Sequence, residues 1–356
     1  MVTHCYIKKL KLHNFRNHLS FELDSSDNSV VITGKNGIGK TNILEAISLL
    51  AKSNGMRKAK AGEMQNRFSN EDWAVHYGFF NGADFNSIGI AKNFNKKLIQ
   101  IDGKTQSSYS SLYRISNVIW LIPQMDYIFL NSSSDRLKLL DRIVSLFEEN
   151  YTCCYMKYRK AKHERSKLLR EDILDENWLS SLENVMAVNA VNILRMRLSV
   201  LKTLQDTIDN HSTEFFPKAS LKFSSQLTLN DTAEYFQSRL KGNREKDLLT
   251  GRTTFCVNND KFLVVCQRRD VPINLCSTGE QKLLLLSIIL SSVKARCIYH
   301  NKAPLLLLDD IMSHLDKHYR KVLIEEILSI QCQTWTTDVD RNNFNNYIDS
   351  FKFIEL

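Results

Sequence analysis

The sequence predicts an α/β fold, with strands and helices around mixed sheets and a mainly helical lobe inserted into the chain. Three observations predict it. Ser29-Val30-Val31-Ile32-Thr33 is a short apolar, β-branched run, followed by a glycine-rich loop and a segment with apolar residues at helical spacing. Far downstream, Pro304-Leu305-Leu306-Leu307-Leu308 is a second apolar run, suited to a parallel strand covered on both faces, and it ends in two carboxylates. Between them lies a long basic stretch with helical periodicity. The expected organisation is a head formed by residues 1–130 and 250–356, with residues 131–249 as the inserted lobe.

The first run leads into Gly34-Lys35-Asn36-Gly37-Ile38-Gly39-Lys40-Thr41, which fits G-x-x-x-x-G-K-[ST]. The helical segment after it is Asn42–Leu50. Strand, glycine loop and helix is the order that phosphate binding requires. Glycines let successive backbone N–H groups converge on phosphate oxygens, and the helix N-terminus adds partial positive charge. Lys40 is expected to reach the β- and γ-phosphates, and Thr41 to ligate Mg²⁺. Met56-Arg57-Lys58-Ala59-Lys60 follows as a basic loop that either touches DNA or is simply exposed. Gly78–Ile101 has short apolar runs broken by Asn, Gly and Asp, the pattern of a β-meander.

The insert is helical and basic. Between Lys157 and Arg170 stand seven Lys or Arg residues against one acid, Glu164. Such a run is either a solvated face or a phosphate-backbone contact. Tyr151, Tyr155 and Tyr158 are interleaved with it, and packing into the helical core is their expected use, with base stacking as the alternative. Trp178, Leu179, Leu182, Val185, Met186, Asn189, Ile193 and Leu194 follow helical spacing and predict a long amphipathic helix that Pro217 closes. No heptad is sustained long enough for a rod. The chain becomes strand-like again from about Leu221, with Thr253–Cys256, Lys261–Cys266 and Val271–Leu275 leading back into the head.

Ser277-Thr278-Gly279-Glu280-Gln281-Lys282 then opens a strongly apolar helix. Ser277 or Thr278 is placed to cap it, and its N-terminus is suited to an anion. The strand ending in Asp309-Asp310 presents both acids at its C-terminal end, where open α/β sheets bind ligands. One acid there can hold Mg²⁺ and the other can orient the attacking water, which assigns the metal to Asp309 and the water to Asp310.

Composition bounds the rest. The chain has 356 residues, 43% hydrophobic and 24% charged, as in ordinary soluble proteins. Its net charge of +9 favours an acidic polymer or surface as partner. Met1–Leu10 lacks the apolar core of a signal peptide, and the longest apolar stretch, Leu283–Leu290, is too short to cross a bilayer. A cytoplasmic protein with no membrane partner is expected. The eight cysteines form no C-x-x-C pair, so no zinc or redox motif is predicted.

Phosphate loop, S-x-G-[EQ], apolar strand with two acids, and then Ser313-His314-Leu315-Asp316 is the order found in ATP-binding-cassette ATPases. One branch is matched in more detail. The opening strand Tyr6–Asn17 contains Leu12-His13-Asn14-Phe15-Arg16-Asn17 and resembles the "L-x-N-F-R-N" signature of the RecF family. The loop with Asn36, the Ser277–Lys282 signature and Leu307–Asp316 are similar to its other motifs. So are Trp120-Leu121-Ile122-Pro123-Gln124-Met125-Asp126 and the His163–Leu169 run. The resemblance spans Tyr6 to Asp338. Lys138 and Ser166 depart from residues common in that family. No histidine follows the last strand, where transporter ATPases carry one; Gln333–Asp338 stands there instead.

The resemblance implies ATP and Mg²⁺ as cofactors. It also implies an ATP-dependent homodimer in which Ser277 and Gly279 of one subunit complete the phosphate contacts of the other. It further implies DNA binding, single- and double-stranded, in recombinational repair and replication restart, with slow, DNA-dependent hydrolysis as a switch and RecR and RecO as partners. Lys40, Asp309, Asp310 and Gln124 are the catalytic set so implied, with Gln124 coupling the helical lobe to the nucleotide through the metal, and Arg16 sensing the phosphates. Two other readings stand beside it. An SMC-like or overcoming-lysogenisation-type ATPase would need long heptads or a nuclease domain. A transporter ATPase would place the phosphate loop and Ser277 much closer together than they are here.

Overall fold

A computed structural model describes residues 3–51, 55–94, 96–107, 110–173, 175–211 and 215–356. The chain divides into two compact units. Unit 1 comprises Met1–Tyr127, Thr207–Lys218 and Ser277–Leu356; unit 2 comprises Ile128–Asp206 and Ala219–Cys276.

Unit 1 begins with β1 (Tyr6–Phe15), β2 (His18–Asp24), β3 (Ser29–Thr33) and α1 (Lys40–Ser48). Next come β4 (Ala74–Phe80), β5 (Phe85–Asn93), β6 (Lys96–Ile101), β7 (Lys104–Gln106), α2 (Ser110–Ile115) and β8 (Val118–Leu121). Unit 2 supplies α3 (Ser133–Phe147), α4 (Tyr151–Arg170), α5 (Glu176–His211), β9 (Ala219–Ser224), α6 (Ala233–Gly242), α7 (Arg244–Thr250), β10 (Lys261–Cys266) and β11 (Val271–Pro272), with the last turn of α5 belonging to unit 1. Unit 1 then resumes with α8 (Thr278–His300), β12 (Leu305–Leu308), α9 (Lys317–Ser329), β13 (Thr334–Asp338) and β14 (Phe351–Glu355).

Two sheets build unit 1. The predicted meander is part of an antiparallel sheet in the order β2-β1-β4-β5-β6-β7. Its alternation is clean: in β4, Val75, Tyr77 and Phe79 point inward while the residues between them are half-exposed. The other sheet has the order β14-β3-β13-β12-β8, and every pairing in it is parallel. β12 lies between β13 and β8, and all four of its leucines are fully buried, at about 2 kcal/mol each. Gln333 ties the sheets together: its side chain accepts from Ile7 N at 2.8 Å and donates to the carbonyls of Ile7 and Asn28 at 3.1 and 3.0 Å. Among the described residues, α8 is the one helix long and apolar enough to cross a membrane by length and composition, and 78% of that window is buried inside the protein. It is the central core helix of unit 1.

Unit 2 is helical around a three-stranded sheet in the order β11-β10-β9. Two fully buried arginines organise it. Arg165 meets Glu183 at 2.9 Å and Asp247 at 2.7 Å; Arg197 meets Asp141 and Asp260, each at 2.7 Å. Residues 250–276, expected in the head, group with unit 2 because β10 pairs with β9. Thr253–Cys256 is not a strand. Residues 207–218, expected in the insert, group with unit 1. The long amphipathic helix is present as α5, yet Trp178 and Val185, read as part of its apolar stripe, are exposed. Tyr151 and Tyr158 are buried core residues, as expected, and half-buried Tyr155 accepts a hydrogen bond from Asn258 at 3.0 Å.

Candidate nucleotide-binding site

The phosphate loop connects β3 to α1 at the C-terminal end of the parallel sheet. β12 ends at the same side, two strands away, and delivers Asp309. Thr41 Oγ1 donates to Asp309 Oδ1 at 2.8 Å, joining residues that are remote in sequence. Thr337, the fourth residue of β13, donates to the same oxygen at 2.8 Å. Asp309 is nearly buried; burial pushes its carboxyl up, and the hydrogen bonds from Thr337 and Thr41 act in the opposite direction. Asp310 leaves the strand in a left-handed conformation (φ 48°), and its N–H donates to Thr337 Oγ1 at 2.9 Å.

Loop geometry suits an anion. Gly39 is the N-cap of α1 at φ 119°, no side chain caps the helix, and no acid stands in its first turn. Its first N–H groups are therefore available to a ligand. By contrast, α8 and α9 are capped by their own Ser277 and Asp316. Lys40 donates to the carbonyls of Gly34 at 2.5 Å and Lys35 at 3.0 Å, inside the loop.

The turn between β1 and β2 rests on this loop, which sequence reasoning missed. Asn17 donates to the Ile38 carbonyl at 2.7 Å, and Asn42 donates to Asn17 at 2.6 Å. His18 Nε2 lies 3.1 Å from the Gly39 carbonyl, so Nε2 carries the proton, and burial pushes the imidazole pKa down. A Cβ on Gly39 would lie 2.6 Å from the Asn17 amide and 2.7 Å from the His18 ring, so glycine is required there on space as well as on φ. Arg16, read as a phosphate sensor, makes a two-pronged pair with Glu45 of α1 at 2.8 and 2.5 Å and also donates to the Glu63 carbonyl. Arg57 of the basic loop reaches Glu45 at 3.2 Å and Asn42 at 3.0 Å. Glu45 is 1% exposed, so both arginines brace the helix that carries Thr41.

Gln124 is exposed in a 3₁₀ turn (Pro123–Met125) just beyond β8, the neighbour of β12. It therefore stands past the same strand ends as Asp309. Ser277 and Gly279 lie at the start of α8. Ser277 Oγ accepts from Glu280 N at 3.3 Å, and the Glu280 carboxylate accepts from Ser277 N at 3.0 Å. A Cβ at Gly279 would meet nothing within 4 Å. Among the described residues, no hydrogen bond joins Ser277 or Gly279 to Gly34–Thr41.

The residues fit a magnesium–nucleotide complex. Asp310 Oδ1 is buried without a hydrogen-bond partner among the described residues, and Thr41 and Asp309 stand beside the loop. No group of three or more His, Cys, Asp or Glu comes together among the described residues. Mg²⁺ held by one or two carboxylates together with substrate phosphates needs no such group.

A parallel sheet with a phosphate loop after one strand and paired acids two strands away defines a P-loop nucleotide-binding head. The family model "RecF/RecN/SMC N terminal domain" matches residues 6–354. The chain is 36% identical over 361 residues to the DNA replication and repair protein RecF of Rickettsia akari (strain Hartford), with 99% of each covered. It is 35% identical over 360 residues to that of Rickettsia prowazekii (strain Madrid E), again with 99% of each covered. Among solved structures, the recombination mediator protein RecF bound to ATP has the same fold, with a TM-score of 0.84 at 23% identity, covering 96% of this chain and 94% of that one. An Smc head domain from Pyrococcus furiosus matches with a TM-score of 0.57 at 16% identity, covering 96% and 92%. The chain belongs to the RecF family of DNA replication and repair proteins.

Proposed function

We propose that this chain is an ATP-dependent DNA-binding protein of recombinational repair and replication restart, working as a dimeric clamp. The observation that carries the reading is the 2.8 Å bond from Thr41 to Asp309, which joins the phosphate loop to the acidic strand. Gly34–Thr41 wrap the triphosphate, and Lys40 leaves the Gly34 and Lys35 carbonyls for the β- and γ-phosphates. Thr41 and Asp309 hold Mg²⁺, whose role is to neutralise developing phosphate charge. Asp310 receives a hydrogen bond from the attacking water. Gln124 passes the state of this site to the inserted lobe.

The outward, open turn at Ser277–Gly279 supports completion of the site by a second copy of the chain. Two copies close face to face on single- or double-stranded DNA at gaps and junctions, and slow hydrolysis reopens them. The RecFOR pathway named for the related structure is the reason to propose RecR and RecO as partners in the cytoplasm.

The test measures nucleotide affinity, molecular mass in solution and DNA affinity, each with and without ATP and Mg²⁺. Dimerisation and tighter DNA binding with ATP are expected. Lys40→Met should abolish the ATP effect. Ser277→Arg should retain nucleotide binding and block dimerisation. If ATP changes neither mass nor DNA affinity in the intact protein, the clamp is wrong.

A further inference from the structure

Among the described residues, Thr337 is the one side chain that hydrogen-bonds to both acidic residues. Its single hydroxyl hydrogen goes to Asp309 Oδ1 at 2.8 Å, and its oxygen accepts the Asp310 N–H at 2.9 Å. The hydroxyl is 1% exposed with its residue, at the end of β13 between the phosphate-loop strand and the acidic strand. Parallel pairing ends with Leu308 opposite Thr336, one residue before this point. Beyond it Asp309 N still reaches the Leu121 carbonyl of β8 at 2.9 Å. Asp310 then turns left-handed, a conformation that aspartate tolerates better than most residues. Its N–H has left the ladder and is taken up by the threonine hydroxyl. That anchor fixes the backbone from which the Asp310 carboxylate projects, and Asp310 Oδ1 is left buried with no hydrogen-bond partner among the described residues.

We propose that Thr337 is a positioning residue for hydrolysis, holding Asp309 and Asp310 in one fixed arrangement through its hydroxyl. The inference rests on the ATPase reading above and adds a residue that no motif marks. It separates binding from turnover. Nucleotide binding by the phosphate loop should survive without the Thr337 hydroxyl, because among the described residues no hydrogen bond joins that hydroxyl to Gly34–Thr41. Turnover depends on it, because the water-facing and metal-facing acids lose their shared anchor when it goes.

The experiment compares Thr337→Val, which keeps the shape and removes the hydroxyl, with Thr337→Ser, which keeps the hydroxyl. Nucleotide affinity and DNA-stimulated ATP hydrolysis are measured for both. Valine should lower kcat about ten- to a hundredfold, the worth of a hydrogen bond to a charged group, with nucleotide affinity within about threefold. Serine should restore most of kcat. Unchanged kcat in the valine variant overturns the proposal, and so does an equal loss in a folded serine variant. Loss of nucleotide binding together with turnover in the valine variant makes the hydroxyl a structural strut and overturns it too. Lys40→Met is run alongside: if it binds nucleotide as tightly as the unaltered chain, the failure belongs to the ATP reading instead.

Discussion

Arg165 has no exposed surface, yet it carries a full positive charge. Glu183 and Asp247 neutralise it, the Leu240 carbonyl accepts from it at 2.8 Å, and Arg244 takes the remaining valence of Glu183 at 2.6 Å. Removing Arg165 takes from buried Asp247 its described ion-pair partner and leaves Glu183 to Arg244 alone. Arg165→Ala is therefore expected to destabilise the protein by about 3–5 kcal/mol, read as a lowered urea midpoint. A stability within about 0.5 kcal/mol of the parent chain, the usual range for surface substitutions, would show that water reaches this centre. In the sequence Arg165 stands among seven basic residues between Lys157 and Arg170 and inside the His163–Leu169 run, and five of the seven, Lys157, Arg159, Lys160, Lys167 and Arg170, are exposed. Its acidic partners stand far along the chain, so no local pattern shows that it is buried and paired. Lys40 and Thr41 differ because their chemistry demands a fixed spacing beside a glycine turn, and Asp309 differs because it ends a fully apolar strand. Glu45 lies in the helix after the loop and acts through Arg16 and Arg57, and Asn17 lies in the Leu12–Asn17 signature; His18 and Thr337 act on that site from segments with no motif of their own.

At the scale of elements, periodicity located strands and helices well where one face is buried and the other is not. The meander has that character; β12 and α1 are buried nearly all round, and an uninterrupted leucine run and the preceding phosphate loop located them instead. α5 was harder. Its inward face is apolar, but exposed Trp178, Val185 and Val188 also fit a helical stripe, and only packing separates the two sets. Helix ends were legible where a cap closes on itself. Ser277 and Glu280 form a reciprocal pair at the start of α8. Asp316 caps α9 by accepting from Tyr319 N at 2.9 Å. Asp316→Ala should cost about 1 kcal/mol in equilibrium unfolding, and Asp316→Asn should recover most of it. An alanine variant as stable as the parent would mean that the α9 terminus is satisfied by other groups.

For the whole molecule, ion pairs make stability depend on pH in a defined direction. Glu176 is held by Lys241 at 2.7 Å and Arg244 at 2.5 Å, and these partners pull its carboxyl from 4.5 down to about 2. Its contribution is present above the unfolded value, 4.5, and is lost as pH falls toward about 2. The parent chain should therefore lose stability between those values faster than Glu176→Gln does, measured as unfolding midpoints across that range. Identical slopes would show that the pair is broken in solution. The sequence by itself determined that the chain has a phosphate loop, a paired-acid strand, a signature turn and a helical insert, because each is a local pattern of a few residues with one chemical use. Tertiary structure decided which strands group with which unit, how Arg16 and Arg57 are used, and that Thr337 stands between the two acids. Those outcomes depend on β-pairing and on burial of charge between segments distant in the chain, where the stabilising partner of a residue is chosen by packing.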